Sequence, residues 1–196
     1  MSRVVIIDAG GANTGSVRAA LARLGVDAPL VTDAHSIVRA ERVILPGVGT
    51  AKQVMARLTA LNLIETLRTL KTPLLGICVG MQVLFQSSEE ENIKGLGILP
   101  GRVRKLAGAA DLRIPHMGWN TLQVRKPSRL FTGIPEQAHA YFVHSYAADI
   151  TDDCIASCDY GGHFAALVER DNIAGAQFHP ERSAALGARL LANFIA

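Results

Sequence analysis

The segment Gly76-Ile77-Cys78-Val79-Gly80 limits the folds open to this chain more than any other. An apolar run enters it from Pro73, and the residues from Gly80 to Gln86 read as the start of a helix. A strand that bends directly into a helix, with a cysteine at the bend, needs glycine on both flanks. The bent residue carries a strained backbone, and the helix behind it must approach closely. Such an elbow belongs to α/β sheets, where strand ends present reactive side chains.

The rest of the first half alternates in the same way. Residues 3–8 read as a strand that ends in the Gly10-Gly11 loop. Val17, Ala20, Leu21 and Leu24 then share one helical face, with Gly25 as the stop. Strands are expected at 28–32 and 42–45, the second broken by Pro46-Gly47-Val48-Gly49, followed by a helical stretch over 51–70. The second half changes character. Segments at 96–99, 102–106, 120–124, 138–143, 155–160, 164–169 and 173–178 read as strands between turns, and 183–195 as a closing helix. The expected fold is an open, mostly parallel α/β sheet with helices on both faces and an antiparallel extension of the same sheet. With 49% hydrophobic residues in 196 positions, the chain can bury one substantial core, which makes 1–196 one domain.

Composition excludes several classes. A net charge of +3 and 5% aromatic residues are too little for a nucleic-acid surface. The basic run Arg102-Val103-Arg104-Lys105 reads as a solvated face. No apolar run reaches membrane-spanning length, and the N-terminus enters a strand without a signal-peptide pattern. Three cysteines form no disulfide framework, so a reducing cytoplasm is expected. Cys154 and Cys158, with His163 nearby, read as structural residues rather than a metal site, and no cofactor is expected. The Gly-rich stretch from Gly10 fits neither dinucleotide nor P-loop spacing; a tight strand-helix turn suits it better.

The chemistry concentrates at three residues. A thiolate is the effective form of a cysteine nucleophile, and N–H groups at a helix start favour the anion on Cys78. His179 follows the apolar segment Ala174-Gly175-Ala176-Gln177-Phe178, placing an imidazole at a strand end as general base. Pro180 turns the chain, and Glu181 can fold back to orient the ring. Acyl transfer also needs N–H donors for an oxyanion. Val79 would give one, and the Val48-Gly49 loop another.

These motifs resemble the class I (triad-type) glutamine amidotransferases. The likeness rests on the elbow, the Pro-Gly-Val-Gly loop and Gln177-Phe178-His179-Pro180-Glu181, and spans nearly the whole chain. Pro115-His116-Met117-Gly118-Trp119-Asn120 and Tyr141-Phe142-Val143-His144-Ser145-Tyr146 are similar to the branch that serves histidine biosynthesis. Branches serving anthranilate, carbamoyl phosphate or GMP usually carry His where Met81 stands, and the Gly-Gly-Glu-Ser motif of the pyridoxal phosphate branch is missing. The resemblance implies hydrolysis of glutamine to glutamate and ammonia through a thioester on Cys78. It implies Gln82, Glu90, His144, Ser145 and Tyr146 as glutamine-binding residues. It also implies a (βα)₈ cyclase partner, bound as a heterodimer, that uses the ammonia to make imidazole glycerol phosphate and an aminoimidazole carboxamide ribotide. Asn13, Met117, Trp119 and Arg182 are the expected partner contacts. Two segments depart from the commoner pattern, Ala9-Gly10-Gly11-Ala12-Asn13-Thr14 and Thr50-Ala51, and neither change is expected to touch the triad. Two other readings stay open: a cysteine hydrolase of this fold with another substrate, and a non-catalytic interaction module.

Overall fold

Val4 to Ile7 are four consecutive buried apolar residues, the pattern of a strand covered on both faces. The computed structural model describes residues 4–11, 13–108 and 112–196; Arg3 of the expected first strand and Ala12 of the loop after it lie outside the described residues. In chain order the first half comprises β1 (Val4–Ile7), α1 (Thr14–Arg23), β2 (Leu30–Val31), α2 (Ala34–Arg39), β3 (Arg42–Gly47), α3 (Ala51–Ala60), α4 (Ile64–Arg68), β4 (Leu74–Cys78) and α5 (Val79–Gln82). The second half comprises β5 (Phe85–Ser88), β6 (Ile93–Lys94), β7 (Leu99–Lys105), β8 (His116–Thr121), β9 (Gln123–Val124), β10 (His139–His144), β11 (Tyr146–Ala148), β12 (Cys154–Asp159), β13 (His163–Arg170), β14 (Ile173–Ala176) and α6 (Ala184–Ile195).

The main sheet has eight strands in the order β2-β1-β3-β4-β14-β13-β12-β9. The run from β2 to β14 is parallel, and the remaining pairings are antiparallel. Right-handed crossovers dictate the layering. The chain steps one way from β1 to β2 and the other way from β2 to β3 and β4, so α1 covers one face and α2 to α4 the other. This reversal beside β1 is the switch point where α/β sheets form their crevice.

Several elements differ from expectation for physical reasons. The strand expected to break at Pro46 continues through Gly47. Its pairing with β1 ends at Ile44, so Pro46 has only β4 beside it and needs no donor on the other side. The helix expected over 51–70 is two helices. Asn62, at φ 55°, ends α3 in a left-handed turn, with Asn62 N–H bonded to the Thr59 carbonyl and Leu63 N–H to the Leu58 carbonyl. The six-residue α2 was not foreseen; Asp33 caps it by accepting from Ser36 N–H at 2.8 Å. The helix expected from Gly80 to Gln86 is one turn, after which the chain re-extends into β5.

The second half is also more divided than expected. β14, β13, β12 and β9 extend the main sheet, but β11-β7-β5-β6 form a separate four-stranded sheet and β10-β8 a two-stranded one. One buried apolar cluster nevertheless runs through all of these parts, with Phe85, Phe142, Phe178 and Phe194 among its largest side chains.

Candidate active site

Because β1, β3, β4 and β14 are parallel neighbours, the loops leaving them meet at one edge of the sheet. Those loops carry Asn13, Val48-Gly49, Cys78 and His179. Cys78 ends β4 at φ 54° and ψ −113°, a conformation that non-glycine residues rarely adopt. A Cβ on Gly80 would lie 1.8 Å from the Leu45 carbonyl oxygen of β3, and one on Gly76 would lie 2.7 Å from the Gly80 carbonyl oxygen. Only glycine on both flanks lets the elbow close this tightly. The one-turn length of α5 changes part of the expectation. Only four helical residues follow the sulfur, so little helix dipole acts on it.

His179 follows the buried Phe178 and is itself 7% exposed. Its backbone N–H bonds the Tyr141 carbonyl at 2.9 Å, and Pro180–Arg182 then form one 3-10 turn. That turn brings Glu181 Oε1 to 2.8 Å from His179 Nδ1, with the glutamate side chain fully buried. Nδ1–H therefore donates to the carboxylate, which leaves Nε2 to exchange a proton with Cys78. Burial opposes charge on this ring, but hydrogen bonding to Cys78 and Glu181 and their negative charge outweigh it and hold its pKa near about 10.

Asn13 was expected on the partner surface and is instead buried. Its Nδ2 donates to the same Glu181 oxygen at 3.0 Å. Asn13 stands at the N-cap of α1 yet makes no side-chain cap bond. An Asn there ordinarily caps; here its amide is turned to the carboxylate instead. Met117 and Trp119 are 63% and 53% exposed, and Arg182 is exposed, as a contact surface requires. Trp119 meets Tyr141 edge-on, with centroids 5.8 Å apart.

A cavity of about 300 Å³ opens at the sulfur. Cys78, Val79, Gln82, Glu90, His144 and His179 line it together with Val48, Gly49, Ser145 and Tyr146. Every residue expected to hold substrate or an oxyanion therefore faces one space, while Glu181 and Asn13 stand behind the imidazole. Glu90 Oε2 accepts from Ala51 N–H at 2.8 Å, linking the cavity to the start of α3 just beyond Gly49. Burial lowers the His144 pKa to about 3 and that of its neighbour His116 to about 4, so both rings are neutral. Gln177 and His116 were not among the expected site residues. Gln177 Nε2 lies 3.8 Å from the Cys78 sulfur. Its place two residues before His179, within the same motif, was the signal that could have found it. Among the described residues, no group of three or more His, Cys, Asp or Glu side chains could hold a metal ion. Among those residues, too, no helix is long and apolar enough to cross a membrane.

The sequence pattern of the glutamine amidotransferase class-I family matches residues 5–196. The chain is 58% identical over 195 residues to the imidazole glycerol phosphate synthase subunit HisH of Xanthomonas axonopodis pv. citri, covering 100% of this chain and 98% of that protein. It is 57% identical, with the same coverage, to the subunit HisH of Xylella fastidiosa strain Temecula1. Among solved structures, a glutamine amidotransferase superposes with a TM-score of 0.75 at 20% identity, covering 98% of this chain and 96% of the other. The glutaminase domain of Trypanosoma brucei CTPS does so with a TM-score of 0.69 at 17% identity, covering 99% and 94%. These two likenesses carry the fold.

Proposed function

We infer the function from a chain that belongs to the class-I glutamine amidotransferases and, within them, to the HisH subunits of imidazole glycerol phosphate synthase. It is an enzyme that hydrolyses glutamine to glutamate and ammonia and passes the ammonia to a partner subunit in histidine biosynthesis. The partner is a (βα)₈ cyclase, docked as a heterodimer over the exposed Met117, Trp119 and Arg182. We take residues 1–196 as one such domain, working in the cytoplasm.

The observation that carries this reading is that Cys78 and His179 line one cavity with Glu181 bonded behind the imidazole. His179 Nε2 takes the thiol proton, and the sulfur attacks the side-chain amide carbon of glutamine. The carbonyl π-electrons move to oxygen, and Val79 N–H with the Val48-Gly49 loop, which line the same cavity, meet the charge. The same imidazole returns its proton to the departing nitrogen. The C–N bond breaks, ammonia leaves, and a glutamyl thioester remains on Cys78. Water then attacks the thioester with His179 as base, releasing glutamate and restoring the thiol. Glu181, held by Asn13, keeps the ring in the required tautomer throughout. Gln82, Glu90, His144, Ser145 and Tyr146 hold the substrate, with the Glu90 carboxylate pairing with its ammonium. His144 lines that space as a neutral ring and brings no charge to it.

The test is glutamate release from glutamine, with and without the cyclase and its ribulosyl ligand, for the wild type and Cys78→Ala. Release that the loaded cyclase stimulates and the mutation abolishes supports the reading. A folded, partner-bound wild type that releases none overturns it. Release indifferent to the cyclase keeps the triad and overturns the partner.

A further inference from the structure

A chain of hydrogen bonds, buried at its centre and half-buried or exposed toward Asn120, runs from strand β8 to the nucleophile, and every link has a fixed direction. The Tyr146 carbonyl can only accept. It lies 2.9 Å from His144 Nδ1 and 2.8 Å from Gln82 Nε2, so both of those atoms are donors. With its proton on Nδ1, neutral His144 presents Nε2 as an acceptor, and His116 Nδ1 lies 3.0 Å away. His116 must therefore carry its own proton on Nδ1. Its Nε2 then accepts from Asn120 Nδ2 at 3.4 Å, and the same Asn120 amide is anchored to the Asp159 carbonyl at 2.9 Å. On the other side of Tyr146, Gln82 Nε2 has a second hydrogen, which reaches Gln177 Oε1 at 3.0 Å. The amide of Gln177 is thereby oriented with Nε2 toward the Cys78 sulfur, at 3.8 Å.

We propose that Gln177 donates to the reacting sulfur, and that His116, which touches neither sulfur nor cavity, is a positioning residue acting through His144, Tyr146 and Gln82. This rests on the reading of Cys78 as the nucleophile. An N–H aimed at a sulfur favours its anion. An amide can do so only if it cannot flip, and the fixed Gln82 removes that freedom. The Tyr146 carbonyl, which can only accept, removes it from Gln82 in turn, and the two histidines hold that carbonyl in place through His144 Nδ1–H. His116 is well built for this task. It is 2% exposed and stacked between Phe142 and Tyr160, with centroids at 4.8 and 3.9 Å. It also stands directly opposite His144 in the β8-β10 ladder. Strand alternation puts His116 and Asn120 on one face of β8 and Met117 and Trp119 on the other. The strand that presents the candidate partner surface outward thus carries the start of the chain inward.

The test is the rate at which iodoacetamide alkylates Cys78 in the full-length protein, read by peptide mapping, beside kcat and KM for glutamine in the cyclase complex. Mapping separates Cys78 from Cys154 and Cys158, which lie outside the cavity; burial pushes the thiol of Cys158 up to about 12. Gln177→Leu removes the donor at similar volume. It should slow alkylation and lower kcat about tenfold to a hundredfold, the range for losing a hydrogen bond to a charged group, with KM little changed. Gln177→Glu keeps the acceptor for Gln82 but turns an anion on the sulfur, and it should slow alkylation further. It also supplies the answer if the leucine variant does not fold. His116→Phe, which fills the stack but donates nothing, should impair both rate and KM, and His116→Asn, whose amide can replace the Nδ1–H, should restore most of both. A purely structural histidine would favour phenylalanine over asparagine. Wild-type alkylation rates in both folded Gln177 variants, or His116→Asn no better than His116→Phe, would overturn the proposal. If alkylation of Cys78 leaves wild-type glutamine hydrolysis intact, the nucleophile reading itself falls.

Discussion

At the residue scale, the interaction behind the imidazole is the least obvious part of the site. Glu181 Oε1 receives both His179 Nδ1 and Asn13 Nδ2, while its other oxygen is buried without a hydrogen-bond partner among the described residues. A carboxylate so sparsely held depends strongly on each donor. Asn13→Ala should lower kcat/KM for glutamine about tenfold or more through loss of a charge-assisted hydrogen bond. Because Asn13 makes no side-chain cap, α1 should persist, and far-ultraviolet circular dichroism should be unchanged. Steady-state kinetics beside the spectrum checks both halves. The triad was legible in the sequence because a nucleophile elbow and a His-Pro-Glu turn are local patterns with few other uses. The inward turn of Asn13 was not. Its neighbours form an aperiodic loop, and what decides its direction is a carboxylate that β14 brings from the far end of the chain.

At the element scale, the loop after β3 is fixed by the helix behind it. Thr50 caps α3 by accepting from Gln53 N–H at 3.3 Å, while Gln53 Oε1 accepts from Thr50 N–H at 3.0 Å. This box starts one residue beyond Gly49, so the helix cap and the end of the cavity loop share a peptide. Thr50→Ala should destabilise the protein by about 1 kcal/mol, measured as a lower urea midpoint at constant m-value. Gly49→Ala should be worse, since φ is +87° and the added Cβ would lie 2.4 Å from Gln53 Oε1. Helix periodicity could not separate α3 from α4, because the apolar pattern runs on across Asn62 and only its left-handed backbone ends the helix. The single turn of α5 was equally hidden. The apolar residues after Gln82 suit either a helix or a buried strand, and pairing with β7 makes Phe85–Ser88 a strand.

At the scale of the whole molecule, the site exists because β14 inserts beside β4 and sets His179 near Cys78. Alternating elements made the parallel sheet readable, but its strand order depends on pairings between distant segments, and the split of the second half into three sheets followed no local signal. The buried histidines give the molecule an acid sensitivity. Both would titrate near 6.5 in the unfolded chain, but in the fold burial lowers His116 to about 4 and His144 to about 3. Below pH 6.5 the unfolded state binds protons that the native state refuses, so stability must fall with pH. The loss begins near 6.5 and continues until the native rings also titrate near about 4 and 3. At its steepest the two rings contribute roughly 2.7 kcal/mol per pH unit. Urea unfolding should approach this slope as the pH falls toward about 5, with a shallower dependence near pH 7, and His116→Phe should remove about half of it.

The most direct test of the central claim is to quench the cyclase-bound enzyme in acid during glutamine turnover and map its peptides by mass spectrometry. The expected result is a glutamyl adduct confined to the Cys78 peptide, formed only with glutamine present and lost in Cys78→Ala. Steady release of glutamate by an enzyme whose glutamyl group sits on another residue would contradict the thioester mechanism.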